Sequence, residues 1–144
     1  MPTNLIFNLQ IGLFDQESMT AEIFANGQAQ TGILSFNETC AKIRINVDLP
    51  AMIEIRLANR NELDTEIDAE GNIVQDKFLH LTSIEIFDTV IDSFKIDQRI
   101  LRFCPDQSEH AAENNFFWNR NGRAYLHIDQ ADALEWLFKN PDLW

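Results

Sequence analysis

Apolar and polar residues alternate along most of the chain, which is the pattern of β-strands with one buried face. The first such run extends from Asn4 to Leu13, where every odd position is apolar. The next two runs flank Asn26-Gly27, a dipeptide that favours a two-residue hairpin turn. A turn of that length places Met19 opposite Leu34 and gives the two strands a shared apolar face.

Residues 41–47 and 51–57 alternate most regularly. Each run carries its apolar side chains at odd positions, and Pro50 lies in the short connection, where no ladder hydrogen bond is needed. If the two strands form a hairpin with their apolar faces aligned, Arg44 lies opposite Glu54, a favourable pair worth at most ~1 kcal/mol. The pattern therefore predicts a second hairpin.

Further strands are predicted at residues 63–67, 73–81 and 99–104. The first two flank a turn at Glu70-Gly71-Asn72. The run from Ser83 to Ile96 has two interpretations, because its apolar spacing fits one helical face while its β-branched residues favour strands. We favour two short strands around Asp88-Thr89.

The C-terminal part of the chain predicts a hairpin followed by a helix. Phe116–Trp118 and Arg123–Ile128 form the expected strands, with Gly122 in the left-handed position of the turn. Asp129 is the expected N-cap of a helix of roughly ten residues, and Lys139 suits the negative end of the helix dipole.

The repeated short strands and frequent turns indicate one domain, residues 1–144, and this length suits a single core. The expected fold is all-β: an antiparallel, jelly-roll-like β-sandwich of about eight to ten strands with one short C-terminal helix. The pattern contains no alternation of strands with helices, which argues against a parallel sheet.

The formal net charge of −12 and the pI near 4.4 narrow the function classes. Residues 61–100 carry ten acidic and three basic side chains, so most of the excess lies in the middle of the chain. Nucleic acids and anionic membrane surfaces are bound through clustered Lys and Arg, so the composition argues against both partners. The N-terminus lacks a signal-peptide pattern and no apolar run reaches bilayer length, so we expect synthesis in the cytoplasm.

The two cysteines, Cys40 and Cys104, are too few for a disulfide framework and lack the spacing of a metal site. A single bridge between them and two buried thiols are both compatible with the sequence. We favour the thiols, because disulfides are rare in cytoplasmic proteins.

Residues 64–72 form an acidic ladder. Hard cations such as Ca²⁺ bind several oxygen ligands on a flexible turn, so Asp64, Glu66 and Asp68 are candidate calcium ligands. The segment is not an EF-hand, since aligning it with that motif places Lys77 where the bidentate glutamate belongs. The alternative, which we favour, is a solvated strand face that discourages edge pairing.

Aromatic and amide side chains are interleaved near the C-terminus. An aromatic ring offers a flat apolar platform and an amide hydrogen-bonds hydroxyls in both directions, so this combination suits a glycan. The candidate ligand-binding residues are Trp118, Asn119, Asn121, Tyr125 and Trp136. The alternative, which we favour, is that these rings form the core beneath the terminal helix.

No nucleophile elbow, phosphate-binding loop, zinc-binding histidine pair or Cys-His pattern occurs in the sequence, so we expect no enzymatic activity. The leading hypothesis is a binding or accessory structural module with a glycan or protein partner. The alternative is a self-assembling, homo-oligomeric building block without a small-molecule ligand, in which Leu143 and Trp144 contribute contacts.

The middle of the chain combines a turn between two short strands with the start of a longer strand. The residues concerned are Asp64, Thr65, Ile67, Asp68, Gly71, Asn72, Ile73, Val74, Asp76, Lys77, Leu79, Leu81, Ile84 and Ile86. In this stretch the chain resembles small accessory β-sandwich proteins of tailed phages, which are similar in form to carbohydrate-binding modules. The resemblance implies a virion-associated or glycan-binding role and transfers no individual binding residue.

Overall fold

The computed structural model describes residues 2–30, 34–35, 39–61, 63–97, 99–106 and 114–144. In this part of the chain, two antiparallel sheets pack face to face around one apolar core. The chain passes repeatedly from one sheet to the other, as in a jelly roll. The predicted fold class, an antiparallel β-sandwich with a short C-terminal helix, is confirmed.

The described strands are β1 (Thr3–Gly12), β2 (Thr20–Ala25), β3 (Gln28–Ala29), β4 (Leu34–Ser35), β5 (Cys40–Val47), β6 (Ala51–Ala58), β7 (Thr65–Ile67), β8 (Ile73–Asp76), β9 (Phe78–Ile86), β10 (Thr89–Asp92), β11 (Leu101–Pro105), β12 (Phe117–Trp118) and β13 (Gly122–Ile128). The described helical segments are α1 (Ser93–Ile96), α2 (Ala133–Lys139) and a 3₁₀ turn (Pro141–Leu143). Within the described ranges, no helix has the length and apolar character needed to cross a membrane.

Sheet A contains β10, β9, β1 and β5 in that order, and β12 also pairs with β9. Sheet B contains β11, β13, β6, β2 and β3, with β4 pairing with β2. The strands β7 and β8 form a separate two-stranded sheet, the β7–β8 hairpin. This hairpin confirms the turn predicted at residues 70–72.

Inward-facing apolar side chains from both sheets fill the core. In β1 the odd positions from Leu5 to Ile11 are at most 4% exposed, as the alternation predicted. The inward positions of β6, from Ala51 to Leu57, are at most 3% exposed. Full burial of a large aliphatic side chain is worth about 1.5–3 kcal/mol, so the alternation is the main source of the sandwich's stability.

The hairpin predicted for β5 and β6 is wrong. β5 pairs with β1 in sheet A, whereas β6 pairs with β2 and β13 in sheet B, and the cis Leu49-Pro50 connection lies between them. Arg44 therefore lies opposite Ile6. Glu54 lies opposite Tyr125 in the other sheet. Alternation buries one face of each strand in either arrangement, so it does not distinguish a hairpin from a crossing between sheets.

The predicted closing hairpin is also wrong, because its two strands lie in different sheets. Phe117 in β12 lies opposite His80 of sheet A, whereas β13 pairs with β6 and β11 of sheet B. Gly122 lies in β13 rather than in a left-handed turn, and a Cβ there would lie 2.5 Å from the Cys104 carbonyl oxygen. The close approach of two strand backbones is therefore what requires glycine at this position.

The turn at Asn26-Gly27 is confirmed, and both residues have positive φ, of 51° and 83°. The predicted register further along is wrong, because Leu34 lies opposite Ala21 rather than Met19. The shift in register amounts to two residues.

The ambiguous run from Ser83 to Ile96 contains the end of β9, then β10 and α1. The strand interpretation is confirmed for the first two elements, which meet at a turn where Phe87 and Asp88 have φ of 51° and 58°. The four-residue helix α1 was not predicted.

The C-terminal helix begins later than predicted. Its N-cap is Asp132, whose side chain accepts hydrogen bonds from the backbone N–H groups of Leu134 and Glu135. The predicted N-cap, Asp129, is wrong, because it directly follows β13 and lies three residues before the true cap. Lys139 is the last residue of α2, as predicted.

Cys40 and Cys104 are both free thiols, as the sequence analysis favoured. Their predicted burial is wrong, because both are exposed. The reason is their position in the alternation. Cys104 follows the buried Phe103 in β11 and therefore points outward, and Cys40 is the first residue of β5.

Candidate functional site

The two tryptophans among the predicted glycan-binding residues are buried. Trp118 in β12 and Trp136 in α2 are 0% and 1% exposed. The Trp118 indole Nε1 donates to the Asn115 carbonyl oxygen at 2.8 Å, and its ring centroid lies 6.4 Å from that of Phe103. Both rings therefore belong to the core, and neither presents a face to solvent.

The other three predicted binding residues have separate roles or positions. Asn121 holds the backbone of Arg60: its Oδ1 accepts from the Arg60 N–H at 3.0 Å, and its Nδ2 donates to the Arg60 carbonyl oxygen at 2.8 Å. Tyr125 is half-buried in β13 opposite Glu54, and Asn119 follows β12. The structure does not join the five residues into one platform, and ligand binding by them stays a prediction.

Of the two residues predicted to contribute to self-association, Leu143 is buried and Trp144 is about half exposed. The Trp144 indole Nε1 donates to the Leu137 carbonyl oxygen at 2.8 Å, which holds the ring against α2. Self-association through this end of the chain stays a prediction.

The first predicted calcium ligand, Asp64, forms a buried ion pair at the base of the β7–β8 hairpin. Its Oδ2 lies 3.2 Å from Lys77 Nζ and accepts from the Asn61 N–H at 2.8 Å. Lys77 is 3% exposed, and its Nζ also donates to the Asn59 carbonyl oxygen at 2.9 Å. Burial opposes ionisation of Asp64, but the hydrogen bonds from Asn61 and Lys77 outweigh it and lower the pKa of this carboxyl.

The other two predicted ligands act within the hairpin. Glu66 Oε2 accepts from the Gln75 side chain at 3.0 Å, across the two strands. Asp68 Oδ1 accepts from the backbone N–H groups of Asn72 and Glu70, at 2.8 Å and 3.0 Å. These bonds lower the pKa of Asp68 and close the turn.

The three carboxylates do not converge. Calcium binding needs several oxygen ligands around one point, whereas Asp64, Glu66 and Asp68 each have a different partner. In the part of the chain that the structure describes, no three His, Cys, Asp or Glu side chains are grouped so that they could hold a metal ion. The arrangement does not fit a Ca²⁺ ion, and calcium binding stays a prediction.

A second ion pair lies beside Asp64 and Lys77. Arg60 Nη2 lies 2.9 Å from Asp76 Oδ1 and donates to Thr65 Oγ1 at 2.8 Å, while Arg60 Nε donates to the Lys77 carbonyl oxygen at 2.7 Å. Arg60, Asp64, Asp76 and Lys77 together form the hairpin anchor. Nothing in the alternation pattern indicates this network, because Arg60 lies in a polar connection between strands.

Half-buried rings cluster on the outer face of sheet A. The aromatic cluster consists of Phe78, His80, Phe116 and Phe117. The Phe78 and Phe117 rings stack with centroids 4.8 Å apart and an interplanar angle of 26°, and the His80 ring lies 5.6 Å from Phe117. Phe78 and His80 point outward because they alternate along β9 with the buried Leu79.

Gly12 makes room for this cluster. It lies opposite Phe78, and a Cβ on it would lie 2.2 Å from Phe78 Cδ1 and 2.5 Å from the Asp76 carbonyl oxygen. The Phe78 ring therefore lies against the β1 backbone, with Phe117 stacked on it. A glycine that interrupts an alternating strand is the sequence signal for such a close approach.

An open groove lies on sheet A, lined by residues outside the aromatic cluster. Its volume is about 410 Å³, and its lining residues are Asn8, Leu9, Gln10, Cys40, Ala41, Lys42 and Thr82. Gln10 joins groove and cluster, because its Oε1 lies 3.4 Å from His80 Nδ1. The Asn8 side chain donates to Ser83 Oγ and Glu85 Oε2 at 2.9 Å, and its Oδ1 has no hydrogen-bond partner among the described residues. The groove lining thus includes amide, hydroxyl and ammonium groups, and it meets the cluster at the contact between Gln10 and His80.

His80 gives the cluster a polar edge. Burial lowers the pKa of its imidazole, so the ring is neutral at pH 7. A neutral imidazole donates from one nitrogen and accepts at the other. The cluster therefore combines apolar ring faces with hydrogen-bonding groups at their margin.

The aromatic cluster was not among the predicted site residues, although two signals pointed to it. Phe78 and His80 occupy the outward positions of the β9 alternation, and Gly12 interrupts β1. Their meeting with Phe117 depends on the pairing of β12 with β9. Alternation specifies which side of a strand is apolar but not which strand lies beside it.

No protein-family model matches the chain, and no curated protein matches it. Two solved structures are similar in fold. One, described as "vCBM60 in complex with galactobiose", has a TM-score of 0.54 and 10% sequence identity over 86% of this chain and 97% of that chain. The other is a SeMet form of vCBM60, described with "two families of calcium-dependent carbohydrate binding modules"; its TM-score is 0.56 and its identity 9%, over 87% of this chain and 90% of that chain. At this identity the likeness shows the fold, which is that of a carbohydrate-binding-module β-sandwich.

Proposed function

We propose that the chain is a non-enzymatic glycan-binding module whose site is the aromatic cluster together with the adjoining groove. The observation that carries the proposal is the stacked Phe78–Phe117 pair on the same sheet as a mostly apolar groove whose lining also includes amide, hydroxyl and ammonium side chains. A sugar ring presents C–H groups on its faces and hydroxyls at its edge, so its site needs an apolar platform and hydrogen-bonding groups together.

Phe117 is the ring of this stack that β12 contributes. The Phe78 ring lies close to the Gly12 backbone and also stacks with Phe117, so it is held by contacts with both strands. Gln10 and Lys42, on the adjoining strands, supply an amide and an ammonium group within the groove. We therefore assign the apolar contact to Phe117 and the hydroxyl contacts to the groove.

The structural neighbours support this class of ligand. One is described as a complex with galactobiose, and the other is described with carbohydrate-binding modules. Galactobiose is therefore the first probe. A neutral sugar also suits a chain of net charge −12 better than an anionic polysaccharide, because like charges repel.

Three further parts of the proposal extend beyond the site. Calcium dependence is drawn from the neighbour that is described with calcium-dependent modules, and not from the acidic ladder, whose carboxylates do not converge. Attachment to a phage particle and a cytoplasmic origin are drawn from the sequence. Calcium dependence is tested in the same titration as the glycan, with added Ca²⁺ in one series and a chelator in the other.

The test is calorimetric titration of the chain with galactobiose and a panel of neutral oligosaccharides. At least one sugar is expected to bind, and Phe117→Ala is expected to weaken its affinity about tenfold or more. Phe94→Ala is the matched control, because Phe94 lies on α1 and is 65% exposed. The Phe94→Ala variant is expected to bind the sugar with the same affinity as the unmodified chain.

Two outcomes contradict the proposal. If the folded chain gives no binding heat with any sugar, with or without Ca²⁺, then it is not a module for neutral glycans. If a sugar binds and Phe117→Ala weakens it no more than Phe94→Ala does, then the site lies elsewhere on the sandwich.

A further inference from the structure

The β7–β8 hairpin carries an apolar surface that neither large sheet covers. Among the described residues, β7 and β8 pair only with each other, so each has an outer edge without a strand partner. Ile67 and Ile73 are paired across the hairpin and are 60% and 64% exposed. Val74 and Leu63 are 56% and 85% exposed. We call these four exposed residues the apolar strip; three lie on the hairpin, and Leu63 lies just before β7. Exposed apolar groups gathered in one region indicate an interaction site.

The hairpin anchor holds this surface in place. One ion pair joins Lys77 to Asp64, and the other joins Arg60 to Asp76. All four side chains are largely buried, and charges in such positions are stable only with complete hydrogen bonding. A surface that is already fixed loses little conformational entropy when a partner binds.

Charge determines the kind of partner. The sequence from Asn61 to Asp76 contains no Lys or Arg, and Glu66, Asp68 and Glu70 lie exposed around the apolar strip. A second copy would bring like charges together, because each chain carries −12. A segment that carries Lys or Arg complements this edge instead.

We propose that the β7–β8 hairpin binds an extended segment of a partner protein in which basic residues alternate with apolar ones, added as a third strand. Strand addition supplies main-chain hydrogen bonds, while the apolar side chains of the segment meet the apolar strip and its basic side chains meet the carboxylates. Carboxylates on an edge discourage pairing with other strands. The same carboxylates therefore favour pairing with a strand that carries basic residues. This site is separate from the aromatic cluster and does not depend on glycan binding.

The test uses fluorescence anisotropy with a labelled short peptide of alternating lysine and valine, titrated with the full chain at low and high salt. Two comparison peptides alternate glutamate with valine and lysine with glycine. The lysine–valine peptide is expected to bind best, and more weakly at high salt. Ile73→Thr and Val74→Thr keep a β-branched residue and are each expected to weaken binding about fivefold. Val90→Thr, on β10 and also 56% exposed, is the matched control and is expected to bind unchanged.

The proposal is overturned if the lysine–glycine peptide binds as well as the lysine–valine peptide, because charge alone would then account for binding. It is overturned if both hairpin variants, confirmed as folded by their melting curves, bind the peptide like the control variant. Light scattering adds a third outcome. A dimer of the unmodified chain that Ile73→Thr dissociates would assign the apolar strip to a second copy rather than to a basic partner.

Discussion

Phe117 and Trp118 are consecutive aromatic residues of β12, yet they lie in opposite environments. Trp118 is 0% exposed and donates its indole hydrogen bond to the Asn115 carbonyl oxygen. Phe117 is half-buried on the outer face of sheet A, where it stacks on Phe78. One ring fills the core, and its neighbour offers a surface.

The pairing of β12 with β9 determines which of the two rings lies in the core and which lies on the surface. Phe117 lies opposite His80, an outward residue, and Trp118 lies opposite Leu79, an inward one. A slip of one residue would exchange the two rings between core and surface. Hydrophobicity alone therefore does not identify a binding platform. A variant on the inner side of β12 is expected to lower stability, whereas a variant on its outer side is expected to lower glycan affinity.

Trp118→Ala is expected to have the largest effect on stability. Removing a fully buried indole leaves a cavity and an unpaired carbonyl group, so the free energy of unfolding should fall by about 3–5 kcal/mol. Urea denaturation followed by circular dichroism measures the change. A loss below about 1 kcal/mol would contradict the core position of this ring.

Gly12→Ala is expected to have the next largest effect. Its Cβ would lie within 2.5 Å of both the Phe78 ring and the Asp76 carbonyl oxygen, so strand and ring must move apart at a cost of about 1–3 kcal/mol. The near-ultraviolet circular dichroism of the stacked rings should also change in this variant. Unchanged stability together with an unchanged aromatic signal would contradict the close approach of Phe78 to β1.

Phe117→Ala is expected to cost only about 1 kcal/mol of unfolding free energy, because this ring is half-buried and its stacking partner remains. Glycan affinity should fall in the same variant, whereas Trp118→Ala at a temperature where it is folded should retain it. Parallel urea and calorimetric titrations give both quantities. Loss of stability as large as that of Trp118→Ala would remove the distinction between the two sides of β12.

The smallest expected effect concerns pH. The pKa of His80 is lowered from its ordinary value of 6.5 by burial, so the unfolded chain binds more protons than the folded chain just below that value. The free energy of unfolding should therefore decrease as the pH falls below 6.5 and level off below the folded-state pKa. His80→Gln should reduce this decrease, and thermal melts from about pH 8 to about pH 5 measure it. An identical pH dependence in both proteins would place the His80 ring outside the cluster.

The elements themselves were largely predictable from the sequence. The odd positions of β1, the turn at Asn26-Gly27 and the end of α2 at Lys139 follow from local chemistry, namely alternation, left-handed turn residues and helix-end charge. These signals lie within a few residues of one another in the chain. They remain valid whichever elements pack together.

The candidate site was not predictable in the same way, because it depends on pairing between distant strands. Gly12, Phe78 and Phe117 meet only because β9 lies between β1 and β12. The hairpin anchor depends likewise on the packing that buries Lys77. From the sequence alone, a charged residue in a polar segment is expected to be exposed to solvent, because its neighbours in space are not known.

The most direct measurement of the glycan site is an amide chemical-shift titration of the isotope-labelled chain with the sugar that binds in calorimetry. The expected shifts fall on the outer face of sheet A, at Gln10, Lys42, His80 and Phe117, with little change in the β7–β8 hairpin. Shifts confined to the hairpin or to α2 would contradict the assignment of the site. An absence of shifts with every sugar tested would contradict the glycan-binding function itself.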